Sequence, residues 1–432
     1  MTLCYSVAGV LPFAAVSGVG LVKAKKSIMH CEERFAEIYH SEPEGVAFCP
    51  YRVCPVGAHS DTQHGRITGL ALDKGIHLAY RPKRNGVIEL ASLNFDKRAQ
   101  FHVAGVPRER QSDWADYLRG ATLALAERWP LTMGLAGVIE GSLPVGGLSS
   151  SSAVIIAFLK ALCTVNGIRL DEQELVAMCM DAENNYVGVS SGKLDPSCET
   201  FCRKDRLLYL DTLDDTRELV SAPANMPPWR IAVFFSGLER SLVGTAFNMR
   251  VDECRSAAYA LLAYAGLPYG KFRETHLRDV PREVFEQYRG RLPENWRKRA
   301  LHWYDEQERV LQSVEAWRQG DLVKYGRLSF ESGKSSIENW QTGSPELKEL
   351  YSIMTHVDGI YGGRFSGAGF RGCCMALYHP DYEESIREQV TREYLAVFPA
   401  LKGKFSVHCC ASADGIGAWS LSSGSSPSSS QQ

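Results

Sequence analysis

The spacing of apolar residues predicts helices and strands in both halves of the chain. Residues 112–128 place apolar side chains at helical spacing on one broad face, which predicts a helix. Residues 65–80 alternate apolar and small side chains, a pattern that favours a pair of strands. In the second half, residues 231–237 are typical of a buried strand, whereas residues 251–265 and 298–317 are typical of helices. Because strands and helices occur without a strict βαβ rhythm, we expect an α+β fold.

Both ends and one internal stretch differ in composition from the rest of the chain. In the N-terminal segment the first lysine follows the apolar stretch, whereas a secretory signal has its positive charge before that stretch. We expect residues 1–30 to be a leader of uncertain role. Residues 421–432 are rich in serine, and we expect a disordered tail. Prolines between residues 219 and 230 would break any regular element. We therefore expect an N-terminal lobe over residues 31–220 and a C-terminal lobe over residues 221–420.

The charge balance narrows the range of partners. The 432 residues include 48 Lys and Arg against 50 Asp and Glu, a formal net charge of −2. No overall positive field exists to attract nucleic acid or an anionic membrane, so we expect neither as a partner. The 13 cysteines show no regular disulfide framework, which favours a reducing compartment and a cytoplasmic location. We also expect a monomer, and any anionic ligand must be held by local groups.

A loop rich in glycine and serine opens directly into a strongly apolar helical run between Glu140 and Lys160. Glycines let the backbone approach a ligand closely, and a following helix N-terminus attracts phosphate. One serine is enough to cap a helix, whereas this loop has four in a row. It lacks the lysine of the common P-loop and the spacing of a dinucleotide-binding loop. We expect ATP phosphates to bind at Gly146, Gly147, Leu148, Ser149, Ser150, Ser151 and Ser152.

The segment Pro144–Ala153 resembles the second motif of the GHMP kinases, P-x-x-x-G-L-S-S-S-A, with its leucine one position early and a fourth serine making up the length. Residues 48–61, FCPYRVCPVGAHSD, resemble the galactokinase signature G-R-V-N-L-I-G-E-H-x-D. Residues 364–374, RFSGAGFRGCC, resemble the third motif, a G-A-G-F-G-G-C loop. Residues 183–198 and 329–350 resemble two further galactokinase segments. The order of the five segments matches that of the family, and the resemblance extends from about Ala47 to Trp419.

The resemblance implies an N-terminal ribosomal-S5-like lobe and a C-terminal ferredoxin-like lobe, with the active site in the cleft between them. It implies ATP-dependent phosphorylation of the anomeric hydroxyl of a sugar. Asp195 matches the catalytic aspartate that accepts the hydroxyl proton, and Arg52 matches the arginine that stabilises it. Ser152 and Glu183 match the ligands of a magnesium ion bound with ATP. Hard oxygen ligands of this kind suit magnesium.

The sugar contacts implied by the resemblance are Ala58, His59, Asp61, Asp195 and Phe247. Galactokinases have a glutamate at the position of Ala58, where it contacts the hydroxyl on carbon 6. A carboxylate on that carbon would be repelled by this glutamate, by about 4 kcal/mol at 4 Å in a half-exposed site. The replacement resembles plant-type galacturonokinases, and we therefore expect D-galacturonic acid as the substrate. Galactose or arabinose as substrate, or a sugar sensor without turnover, are the alternatives.

Several departures from the family pattern leave details open. The cation that would pair with a substrate carboxylate is among His64, Arg66 and Arg240, which the sequence does not rank. Phe247 replaces a tyrosine that commonly touches the sugar. Lys193 and Pro196 also differ from the family, and we expect Pro196 to push Asp195 out of the helical conformation.

Overall fold

The computed structural model describes residues 30–238 and 246–421. Within them the strands are β1 (Gly45–Val53), β2 (Arg66–Lys83), β3 (Val87–Ser92), β4 (Ala99–His102), β5 (Gly134–Gly141), β6 (Arg206–Asp211), β7 (Arg217–Ser221), β8 (Arg230–Phe235), β9 (Ile360–Phe365), β10 (Cys373–Tyr378), β11 (Ser406–Cys410), β12 (Ser412–Ala413) and β13 (Gly417–Ser420). The helices are α1 (30–39), α2 (Asp116–Ala126), α3 (Ser150–Asn166), α4 (Glu172–Asp181), α5 (Leu194–Phe201), α6 (Ala246–Tyr264), α7 (Arg282–Tyr288), α8 (Glu294–Gln319), α9 (Leu322–Glu338), α10 (Pro345–Met354) and α11 (Glu383–Val397). A π-helical turn, Ala182–Val187, follows α4.

The described strands form two sheets, in agreement with the predicted α+β class. The first has nine strands in the order β13-β1-β2-β5-β3-β4, with β12 and β6 also pairing with β2 and with β7 pairing with β6. The second is antiparallel in the order β11-β8-β10-β9. The predicted helices and the predicted buried strand are present as α2, α6, α8 and β8.

Strand β2 is a single element of 18 residues, where the sequence favoured two strands. Its first half pairs with β6 and β12, its second half pairs with β5, and β1 pairs with both halves. The register with β1 shifts between Pro50 and Arg52, because a proline has no N–H to donate to the ladder. This irregularity lies in the strand that presents Arg52.

The last two strands, β12 and β13, join the first sheet, although the sequence assigned residues 221–420 to the second lobe. Gly45 in β1 pairs with Ser420 in β13, and Ala71 in β2 pairs with Ala413 in β12. The patterning of these short strands gives no indication of a partner so distant in sequence. The proline-rich stretch lies between β7 and β8, at the passage from the first sheet to the second.

One large apolar core joins the two sheets. It contains side chains from the first sheet and helices α2 to α4, together with Val233 of β8, Met375 of β10 and the fully buried Trp317 of α8. Continuous packing of this kind fixes the loops that lie between the sheets. The predicted leader, apart from residue 30, and the predicted tail, apart from residue 421, lie outside the described residues. In the described part of the chain, no helix combines the length and apolar character needed to cross a membrane.

Candidate active site

The phosphate loop packs directly against a second glycine-rich loop, residues 366–372. A β-carbon on Gly372 would lie 2.7 Å from the carbonyl carbon of Gly146, and one on Gly147 would lie 2.9 Å from Cys373 Sγ. Gly147 also has a φ of +82°, which non-glycine residues rarely adopt. The two loops therefore approach each other through backbone atoms, and only glycine permits the approach.

The four serines of the phosphate loop have different surroundings. Ser149 is the N-cap residue of α3, and the Ser150 and Ser151 side chains line an open cavity above the helix N-terminus. Ser152 is fully buried and does not line the cavity; its hydroxyl lies 2.7 Å from Ser149 Oγ and donates to Glu199 Oε2 at 2.6 Å. Leu148 also points into the core, and its carbonyl accepts a hydrogen bond from the Arg52 backbone. The glycines, Ser149, Ser150 and Ser151 therefore line the cavity, whereas Leu148 and Ser152 do not.

Arg52 and Asp195 form the centre of this cavity. Arg52 Nε donates to Asp195 Oδ1 at 2.7 Å, and its Nη1 donates to the carbonyl of Gly147 at 3.3 Å. The arginine is buried, whereas the Asp195 side chain is 26% exposed. Burial alone would lower the pKa of Arg52. The neighbouring Asp195 and Glu199 raise this pKa by more than burial lowers it, so the guanidinium stays charged. The pair joins β1, α5 and the phosphate loop.

Asp195 lies in the first turn of α5, contrary to the expectation from Pro196. Pro196 is the third residue of that helix, where the backbone N–H has no intrahelical acceptor in any case. The proline therefore costs no hydrogen bond, and Asp195 keeps its helical conformation. The preceding loop packs closely on the sugar motif, since a β-carbon on Gly192 would lie 2.2 Å from Asp61 Oδ2.

Glu183 is a buried carboxylate on the π-helical turn, and it lines the same cavity. Burial and the neighbouring Asp195 raise its pKa to about 7, while the hydroxyls of Ser191 and Ser151 act in the opposite direction. Its Oε2 atom has no hydrogen-bond partner among the described residues. Ser151, rather than Ser152, is the phosphate-loop serine that faces Glu183.

The predicted sugar contacts form the other end of the cavity. Ala58, His59, Asp61 and Phe247 all line it. The His59 ring stacks on Trp340 with centroids 4.8 Å apart, and its Nε2 has no partner among the described residues. Burial, followed by Arg364, His302, Arg52 and Arg250, lowers the pKa of His59 well below 6.5, so the ring is neutral.

Asp61 is buried at this end and accepts a hydrogen bond from the Leu194 backbone at 3.1 Å. Burial raises its pKa to about 6.

Two of the cations considered as partners of a substrate carboxylate interact with other residues instead. His64 stacks on His276 at 3.8 Å, and Arg66 pairs with Asp211 at 3.1 Å. Neither lines the cavity, and Arg240 lies outside the described residues.

Three features of the site were not found from the sequence. A second cavity adjoins the first through Tyr117, Val145, Ser150 and Ser151, and it is lined by Phe95 and Trp114, whose rings are nearly parallel. Glu199, in α5, contacts Ser152 beneath the phosphate loop. Arg371 lines the main cavity from the 366–372 loop. The sequence indicates only the last of these features, because Arg371 interrupts the glycines of the third motif.

The family models for the GHMP kinases N terminal domain and the GHMP kinases C terminal domain match residues 116–202 and 313–396. A galacturonokinase from Arabidopsis thaliana is 37% identical over 81% of this chain and 86% of its own length. A galactokinase from Roseiflexus is 31% identical over 89% of this chain and 95% of its own length.

Solved structures agree with this grouping. The galactokinase of Lactococcus lactis, solved in complex with galactose, superposes with a TM-score of 0.81 at 26% identity, covering 89% of this chain and 98% of its own. The mevalonate kinase of Methanococcus jannaschii has the same fold, with a TM-score of 0.61 at 13% identity, covering 85% of this chain and 98% of its own. The chain therefore belongs to the GHMP kinases and, within them, to the sugar kinases that include the galactokinases and galacturonokinase.

Proposed function

We propose that this protein transfers the terminal phosphate of ATP to the anomeric hydroxyl of D-galacturonic acid, forming galacturonic acid 1-phosphate and ADP. The cavity joins an anion-binding loop at one end to a sugar-binding pocket at the other, with Asp195 and Arg52 between them. The 37% identity with a galacturonokinase over most of both chains supports the same substrate.

The neutral side chain at position 58, where galactokinases have a glutamate, is the observation that favours an acidic sugar. Ala58 places no carboxylate there, and three of the groups that most affect the pKa of His59 are arginines. One of them, Arg364, lies 3.7 Å from Glu306, whereas Arg250 donates to the carbonyl oxygens of Trp340 and Gln341. A neutral His59 can still donate one hydrogen bond to a substrate carboxylate.

The transfer step requires a proton acceptor and an organised set of charges. Asp195 Oδ accepts the proton of the anomeric hydroxyl as the new oxygen–phosphorus bond forms. The bond between the terminal phosphorus and the bridging oxygen breaks, and ADP leaves with that oxygen. Arg52 fixes Asp195 through a charge-assisted hydrogen bond and supplies positive charge beside the transferred group. A general base of this kind contributes typically about 10²–10⁴-fold to the rate.

The residues present fit a magnesium ion. Glu183 has a buried carboxylate oxygen without a partner among the described residues, and the Ser151 hydroxyl faces it. A carboxylate and a hydroxyl are the hard oxygen donors that magnesium prefers. We propose Glu183 and Ser151 as its ligands, with Ser152, the serine expected from the sequence, holding the loop beneath through Glu199. When bound, the ion neutralises phosphate charge.

The second cavity is suited to the base of the nucleotide. It opens beside Ser150 and Ser151, and it is lined by the aromatic rings of Phe95 and Trp114. Aromatic rings of this kind stack on purines, while the phosphates remain at the helix N-terminus. We propose that ATP lies across both cavities, with its adenine in the second.

The test is a comparison of ADP release with galacturonate, galactose, glucuronate and arabinose, each at the same concentration with MgATP. Preferential turnover of galacturonate is the expected result. Preference for galactose would support the second candidate, galactokinase, which the similarity to the Lactococcus lactis galactokinase complexed with galactose favours. Absence of ADP with all four sugars, while sugar and ATP still bind, would indicate a sensor.

A further inference from the structure

Arg371 is a cation that the proposed reaction has not yet used. It lies in the 366–372 loop, at a position where the third GHMP motif has glycine. Its side chain is exposed and lines the main cavity together with Arg52 and Asp195. No hydrogen bond or ion pair joins it to any residue in the described part of the chain. The following residue, Gly372, is buried.

The loop geometry places Arg371 beside the phosphate loop. Gly372 packs on the backbone of Gly146, and Gly367 packs on the backbone of Gly147. Phe370 faces the other way, with the guanidinium of Arg250 lying 5.4 Å from its ring centroid. Arg371 therefore extends from the part of the loop that touches the start of the anion-binding turn.

The charges that line the cavity favour a further cation beside bound ATP. Its lining carboxylates are Asp61, Glu183 and Asp195, and ATP would add further negative charge. Arg52 is already paired with Asp195, and Lys193 is paired with Asp215. The phosphate loop itself contains no lysine or arginine. Among the described lining residues, Arg371 is the cation without a protein partner.

We infer that Arg371 binds the terminal phosphate of ATP and stabilises the charge of the phosphoryl group as it is transferred. A planar guanidinium with several N–H donors is suited to phosphate oxygens. The cavity it lines also holds Asp195, the proposed proton acceptor, which favours a contact with the phosphate that moves over one with the phosphates that remain in ADP. This inference rests on the proposed phosphotransfer, and it names a phosphate-binding residue for that reaction.

The test compares the binding of two nucleotides by calorimetry, with magnesium present throughout. Adenylyl imidodiphosphate serves as the ATP analogue, and ADP lacks the terminal phosphate. Arg371→Ala should weaken binding of the analogue about tenfold to a hundredfold, the range for a hydrogen bond to a charged group, and ADP binding by less than about twofold. Arg371→Lys should recover part of the loss. Arg392→Ala, at an exposed arginine on α11, is the matched control and should change neither affinity.

Three results would overturn the inference: unchanged binding of the analogue, equal weakening of both nucleotides, or a rise in KM confined to galacturonate. The last would make Arg371 the partner of the sugar carboxylate. Turnover by Arg371→Ala should fall by similar factors with galacturonate and galactose, since the terminal phosphate is common to both reactions. Failure of the proposed function is distinguished because it would appear in the wild-type protein, as nucleotide binding without ADP release.

Discussion

The two ends of the active-site cavity are built in different ways. The phosphate end is formed largely by backbone, where Gly146 and Gly147 pack on the 366–372 loop and α3 begins. The sugar end is formed by separate side chains, including Ala58, His59 and Phe247. Changes at the first end alter the shape of the chain, whereas changes at the second alter one contact at a time. We therefore expect phosphate binding and sugar choice to vary independently in this protein.

Asp195 lies where the two ends meet, so its loss should affect every substrate. We expect Asp195→Asn to lower kcat by about 10²–10⁴-fold with both galacturonate and galactose, because the amide cannot accept the proton. Steady-state kinetics with each sugar would measure this. Circular dichroism and nucleotide affinity should match those of the wild-type protein. A loss with one sugar alone would show that Asp195 acts in substrate choice.

Ala58→Glu should lower turnover of galacturonate without lowering turnover of galactose. At about 4 Å, a new carboxylate would repel that of galacturonate by roughly 4 kcal/mol, so kcat/KM for galacturonate should fall by about a hundredfold or more. The value for galactose should stay the same or rise. Ala58→Gln is the control, since it has nearly the same size without the charge. Equal losses with Glu and Gln would attribute the effect to volume.

Asp61 should give the sugar end of the cavity its own pH dependence between about pH 4 and pH 6. Its folded-state pKa of about 6 lies above the ordinary value of 3.8, so the folded state binds the proton more tightly than the unfolded state. Stability from this group is present at low pH and is lost as pH rises from about 4 to about 6, by roughly 3 kcal/mol. Urea unfolding at several pH values should show Asp61→Asn gaining on the wild-type protein over this interval. A constant difference would contradict the prediction.

Gly147→Ala tests the backbone end with the smallest side chain. The added β-carbon would lie 2.9 Å from Cys373 Sγ, in a conformation with positive φ. We expect a loss of about 1–3 kcal/mol in the free energy of unfolding and weaker ATP binding, with the ratio of galacturonate to galactose turnover unchanged. Gly290→Ala is the control because its β-carbon would meet no atom within 4 Å. A changed sugar ratio in Gly147→Ala would show that the two ends are coupled.

Local patterns in the sequence predicted the glycine and serine loop, and the resemblance to the galactokinases supplied the other candidate site residues. The glycine and serine loop predicted a helix N-terminus at α3, and the motif residues Arg52, Asp195 and Glu183 do line one cavity. The α+β class was predicted for the same reason, since helical and strand spacings repeat over short windows. Each of these signals lies within about 20 residues of chain.

The remaining features depend on contacts between distant segments. Patterning alone did not show that Ser151 faces Glu183 while Ser152 is held by Glu199, or that Phe95 and Trp114 line a second cavity. The prediction for Pro196 was wrong because a proline is tolerated in the first turn of a helix, where the residue before it can remain helical.

The pairing of Gly45 with Ser420 has a consequence for how the protein is made. During synthesis, β1 leaves the ribosome long before β12 and β13 exist, so one edge of the first sheet must wait for almost the entire chain. Long-range pairing of this kind slows folding, since a large loop closes before the contact is gained. The nascent chain therefore presents an open edge at β1 to the cell, and we expect chaperones to bind it there until the final strands arrive.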